Sequence, residues 1–148
     1  MKHPLIQRKE AAQAVIHKYL DQPFVWGSHD CVHLVADALI GLGHPDPLDG
    51  LPAYDSLLGA KKAMRAVGVS TFEERIDSLG FERIAPASAL PCDIWSIPTY
   101  DGNDDWRTLG VFVQHDRVLV FSEAGCIWLV PSTIPTVYAP DVIAWRVV

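Results

Sequence analysis

The chemistry of this chain concentrates between Phe24 and Ile40, where Cys31 stands at the junction of a Trp26–Gly27 loop and a long apolar run. A thiol in the first turn of a helix faces unpaired backbone N–H groups and the positive end of the helix dipole. Both favour thiolate, the nucleophilic form, so the position fits covalent catalysis. Such a nucleophile needs a base. His29 and His33 flank Cys31, and His115 lies further along the chain. At 100° per residue His33 points about 200° around the helix from Cys31. His115 stands at the far end of its strand, roughly 20 Å from the strand start. His29, in the preceding loop, is the best placed of the three.

Bland readings stand beside these. A free cysteine is often only a small buried hydrophobe, and Cys92 and Cys126, in strand contexts, read as packing residues. On a strand, His29, Cys31 and His33 would share a face as metal ligands, but loop running into helix disperses them, so no metal or other cofactor is expected. The acidic segment from Tyr100 to Trp106 reads as a solvated loop.

The elements that must position these residues come in two groups. Residues from about Leu5 to Leu20 predict an amphipathic helix with Ile6, Ala14, Val15 and Leu20 as its apolar members, ended by Gln22-Pro23. Cys31 to about Leu42 predicts a central helix, apolar around most of its circumference and interrupted only by His33 and Asp37. Asp55 to about Val67 predicts a third helix. Thr71 and Glu74, in capping-box register, open a short fourth one that Gly80 ends. After Phe81 the pattern becomes short β-branched and aromatic runs: Asp93–Pro98, Leu109–Gln114, Arg117–Phe121, Cys126–Pro131 and Val142–Val147, with His115-Asp116 at a tight turn. The expected architecture is α+β: a single domain over residues 1–148, with N-terminal helices and a central Cys-bearing helix packed on a C-terminal antiparallel sheet of about five strands.

With 148 residues, 49% hydrophobic and 20% charged, the composition is that of a folded globule. A net charge of -6 leaves no basic stripe for phosphates, so a nucleic-acid partner is not expected. No apolar run reaches membrane-spanning length, and the first residues lack the apolar segment of a secretory signal. Three widely spaced cysteines predict free thiols and synthesis in a reducing cytoplasm.

Taken in order, several short pieces resemble a known family: Phe24-Val25-Trp26-Gly27, Asp30-Cys31, Ala36-Asp37, the loop around His44-Pro45-Asp46, and Tyr54-Asp55-Ser56-Leu57-Leu58-Gly59-Ala60. Pro91-Cys92-Asp93-Ile94, Leu109-Gly110-Val111-Phe112 and Ala144-Trp145-Arg146-Val147 continue the series. The chain resembles the NlpC-type cell-wall cysteine peptidases, compact relatives of papain, and most of all small proteins of that superfamily encoded among phage and prophage tail genes. The resemblance implies a papain-like fold with Cys31 at the nucleophile position and Trp26 and Asp30 at the substrate cleft. In active members a histidine opens the second core strand in a His-x-Gly-aliphatic pattern and serves as base. Here the run is Thr108-Leu109-Gly110-Val111-Phe112, so Thr108 takes the base position facing Cys31, and the polar residue that orients the histidine falls near Val120. The resemblance therefore implies a degenerate peptidase fold serving as a tail-tip component or assembly protein, with other tail-tip proteins as partners. Its alternative is an active peptidoglycan-degrading enzyme that binds stem peptides. The chain would be made in a bacterial cytoplasm and built into the phage tail.

Overall fold

The apolar run after Asp30 is the helix around which the rest is arranged. In a computed structural model of the chain, residues 2–99, 107–114 and 116–148 are described. The expectations for His115 and for residues 100–106 lie outside them. Four helices come first: α1 (Pro4–Tyr19), α2 (Cys31–Gly41), α3 (Leu57–Ala66) and α4 (Phe72–Ser78). Six strands follow: β1 (Glu82–Ile84), β2 (Ile94–Ile97), β3 (Thr108–Gln114), β4 (Arg117–Ser122), β5 (Gly125–Leu129) and β6 (Ile143–Arg146). They form one sheet in the order β1-β6-β2-β3-β4-β5, every pair antiparallel. The α+β class and the helices-then-sheet order agree with the sequence reading. The sixth strand, β1, was not in it: three residues, two of them charged, carry no alternation and are recruited as an edge on β6.

Strand alternation divides the apolar residues between the two sheet faces. Ile94, Leu109, Val111, Leu119, Phe121 and Trp145 pack with Cys31, Leu34, Val35 and Leu39 of α2 on one face. Trp95, Ile97, Phe112, Val118, Val120 and Ala144 form a smaller cluster on the reverse face. Gly110 has no side chain because β4 leaves no room. A Cβ there would sit 2.7 Å from Val118 Cγ1 and 2.8 Å from Val120 Cγ1.

The face that α1 buries differs from the expected one. Leu5 and Ile6 are exposed, while Arg8, Ala11, Ala12, Val15 and Tyr19 are buried. The reason is a buried ion pair. Arg8 Nη1 donates to the Asp93 carboxylate at 3.0 Å and to the Pro91 carbonyl at 3.0 Å, and Nη2 donates to the Val147 carbonyl. Asp93, fully buried, also accepts from Arg146 Nε (2.9 Å), the Leu90 amide (2.8 Å) and the Val147 amide (2.9 Å). One carboxylate thus ties α1 and β6 to the entry of β2. On α2, Ile40 is 44% exposed, so the helix is less uniformly buried than its sequence implies. No helix among the described residues is long and apolar enough to cross a membrane.

Candidate functional site around Asp30 and Cys31

A tight loop carries the chain into α2. Val25 and His29 exchange both backbone hydrogen bonds at 2.9 Å, and Gly27 sits at the turn with φ +86°. Only glycine fits there: a Cβ would lie 2.0 Å from the Tyr54 carbonyl oxygen. The Trp26 ring meets Phe24 edge-on at 4.8 Å and Tyr54 at 6.5 Å.

Asp30 is the N-cap of α2 and has no exposed surface. Its carboxylate accepts from the His33 amide (2.9 Å), His33 Nδ1 (2.7 Å), the Tyr54 hydroxyl (2.7 Å) and the Gly27 amide (2.9 Å). Burial alone would raise its pKa. The His33 ring and amide, then Tyr54 and Gly27, outweigh that and hold the carboxyl below the usual carboxylate range. An ionised carboxylate only accepts, so the proton of His33 sits on Nδ1.

Cys31 occupies the first helical position, as the sequence predicts, yet the dipole does not decide its state. The residue is 6% exposed. Burial pushes the thiol up to about 12. The Leu109 amide and the Cys31 amide pull it down, and the Asp30 and Glu73 carboxylates push it further up. On the order of one thiol in 10⁵ would be ionised at neutral pH. Burial also pushes Cys92 and Cys126 up to about 12, and all three cysteines are free and buried.

His29 and His33 make their contacts away from the sulfur. His29 packs its ring edge on Tyr19 at 5.6 Å, with Nδ1 3.3 Å from Ser28 Oγ. His33 is turned back onto Asp30. Thr108 pairs with Ile97, a member of the reverse-face cluster, whereas Leu109 pairs with Ser96. Alternation therefore puts Thr108 on the face away from α2, and β3 offers the sulfur the Leu109 backbone amide instead. Val120 pairs with Gly110, also in the reverse-face cluster.

Three further polar residues form a chain that begins at Glu73, whose carboxylate acts on the Cys31 thiol, and sequence reasoning did not single them out. Ser96, fully buried, donates to Glu73 Oε1 at 2.8 Å and accepts from Arg107 Nε at 2.7 Å. Arg107 Nη2 donates to the Ser96 carbonyl at 3.0 Å and to the Asp141 carbonyl. The only local signal was the Thr71 cap that sets the register of α4 and with it Glu73. Chemically this set disfavours the thiolate, and among the described residues neither His29 nor His33 is hydrogen-bonded to the sulfur. Among the described residues no three His, Cys, Asp or Glu side chains converge to hold a metal ion.

Comparison with curated proteins gives no match. Residues 4–146, nearly the full length, match the family model described as Domain of unknown function (DUF6950), and the chain belongs to that family.

Proposed function

We propose that this protein is a phage or prophage tail-tip component or tail-assembly protein, built on an NlpC-type fold that no longer works as a peptidase. The observation that carries the reading is the company of Cys31: two carboxylates and two backbone amides act on the thiol, while His29 and His33 make their contacts elsewhere. Acid–base catalysis by a matched group contributes about 10²–10⁴-fold, and a protonated thiol without a histidine partner lacks both that factor and the nucleophile itself. The phage-tail part rests on the ordered resemblance of the sequence pieces.

The peptidase half is tested by release of stem-peptide fragments from purified sacculi by the wild type and by Cys31→Ala. Neither is expected to exceed the buffer control. Robust release that Cys31→Ala abolishes would restore the enzymatic reading and require a rearranged His29 or a base from a partner. The tail half is tested by mass spectrometry of tail particles purified from the encoding phage, together with deletion of the gene. The chain is expected in the particles, or its loss to stop tail formation. Normal infectious particles without it would end the proposal.

A further inference from the structure

His33, Asp37 and Ile40 stand about 180° around α2 from Leu34, Val35 and Leu39, which pack on the sheet. On that outer side they border a pocket of about 280 Å³, whose opposite wall is the loop through Asp46, Leu51 and Tyr54. The polar groups of this pocket have spent their protons. His33 Nδ1 donates to the Asp30 carboxylate at 2.7 Å, so Nε2, on the opposite edge of the neutral ring, carries a lone pair. The Tyr54 hydroxyl gives its one proton to the same carboxylate at 2.7 Å. Asp37 and Asp46 only accept. The Gly27 and Leu48 amides, also in the lining, are bonded to Asp30 and Asp46. The other lining side chains are apolar, and no lysine or arginine is among them.

Acceptors and negative charge without a donor define the complement: a cation that brings N–H groups. The volume sits just below the roughly 300–1,000 Å³ of pockets for drug-sized ligands, so the occupant is a short chain. Its stem has a place to lie, because Ile40 is 44% exposed at the pocket wall. The acceptors also distinguish between cations. Asp37 Oδ2 already accepts from Lys18 Nζ at 2.7 Å and from the Tyr19 hydroxyl at 2.5 Å, so this carboxylate cannot offer both oxygens to a guanidinium fork. A metal ion needs three or more converging ligands, and no such group forms among the described residues. His33 and Asp37, one turn apart on one helix face, present two single acceptors about 5–6 Å apart at their Cβ atoms. A compact ammonium with three donors can bridge them.

We propose that this pocket binds a primary alkylammonium group, carried either by a free small amine or by a lysine side chain of a partner protein. The ammonium donates to His33 Nε2 and to the second oxygen of Asp37, its stem lies on Ile40 and Leu51, and Asp46 adds charge from the loop. The pocket is on the far side of α2 from Cys31 and does not depend on whether that thiol is catalytic.

The experiment adds n-pentylamine hydrochloride to the full chain at fixed pH and follows the ¹⁵N resonance of His33 Nε2. n-Pentanol carries the stem without charge, and pentyltrimethylammonium carries the charge without N–H donors. Saturable movement of His33 Nε2 at millimolar n-pentylamine is expected, with the other histidines unmoved and both controls about tenfold weaker or worse. Asp37→Asn keeps an oxygen for Tyr19 and removes the charge, so it should weaken binding about tenfold. Asp46→Asn preserves the turn onto the Leu48 amide and should weaken it about threefold, a result that stands even where Asp37→Asn lowers the melting temperature. Nα-acetyl-lysine methylamide separates the two sources. Affinity equal to that of n-pentylamine assigns the pocket to a partner's lysine, and lower affinity to a free amine. No saturation by n-pentylamine below about 0.1 M, equal binding of pentyltrimethylammonium, or undiminished binding by Asp46→Asn would overturn the proposal.

Discussion

The two faces of the sheet handle their buried polar groups in opposite ways. On the α2 face Asp30 gathers four donors, Ser96 bridges Glu73 and Arg107, and the Cys31 thiol is buried. On the reverse face a groove lies over Trp95 with an indole N–H that nothing accepts. Satisfied polar networks rigidify, whereas an orphaned group marks either strain or a missing partner. The part of the molecule that looks like an enzyme is closed. The part with no enzymatic look is the one left open.

The largest effect expected of the closed face is alkaline. Cys31, Cys92 and Cys126 are each raised from about 9 to about 12 by burial. Burial and the Asp37 carboxylate raise Tyr19, and burial and the Asp30 carboxylate raise Tyr54. A group whose folded pKa lies above its unfolded value contributes stability that is fully present below the unfolded pKa and lost as pH climbs through the folded one. Five groups act in one direction, so denaturant midpoints should fall steeply between pH about 9 and about 12. A flat profile across that window would mean that the thiols already reach water.

Next in size is Asp30→Ala. It leaves the Gly27 amide, the Tyr54 hydroxyl and two His33 donors without their acceptor, and should cost about 3–5 kcal/mol by denaturant unfolding. Because the Asp30 pKa is depressed, its contribution is present above about 3.9 and is lost as pH falls through the lower folded value. Asp30→Asn should flatten that acid limb. A cost below about 1 kcal/mol for the alanine variant would show that this carboxylate does not close the face.

What was legible in the sequence follows the range of the interactions. The Asp30 cap and the apolar run after it are local, so α2 and the position of Cys31 could be read directly. Thr71 does cap α4 by accepting from the Glu74 amide at 3.1 Å, although the Glu74 carboxylate reaches the Ser70 amide and not that of Thr71. Arg8 was hidden because its partner Asp93 lies 85 residues away. An arginine within Gln7-Arg8-Lys9-Glu10 reads as solvent-facing until that partner is known. Tyr54, Glu73, Ser96 and Arg107 are polar residues in ordinary contexts, and only tertiary packing brings Tyr54 to Asp30 and joins Glu73 to Ser96 and Arg107. The dipole argument for a reactive Cys31 failed on magnitude: a helix terminus is worth about 0.3–1 kcal/mol, less than full burial of a thiol beside two carboxylates costs its charged form.

A smaller effect probes the seal itself. Thr71→Ala removes the α4 cap and should cost about 1 kcal/mol. Since α4 carries Glu73, site-resolved alkylation should then accelerate at Cys31 while Cys92 and Cys126 stay slow. In the wild type Cys31 should react no faster than the other two. Faster native labelling at Cys31 would contradict the closed face.

The smallest effect comes from making the same change on both faces. Trp145, fully buried on the α2 side, donates Nε1 to Asp77 Oδ1 at 2.8 Å, and the Arg83 guanidinium lies 5.5 Å from its ring. Trp145→Phe loses a charge-assisted hydrogen bond worth about 1.5–3 kcal/mol, in addition to the cost of the smaller ring. Trp95→Phe meets the same loss of volume, but it removes a donor that is unsatisfied and so recovers about 1–3 kcal/mol of desolvation. The two terms nearly cancel, and a change within about 1 kcal/mol of zero is expected for Trp95→Phe in the unliganded protein. Trp145→Phe should exceed it by about 2 kcal/mol or more, measured as paired denaturant midpoints at neutral pH. Equal costs would erase the contrast, because the Trp95 indole would then be as well bonded in solution as that of Trp145.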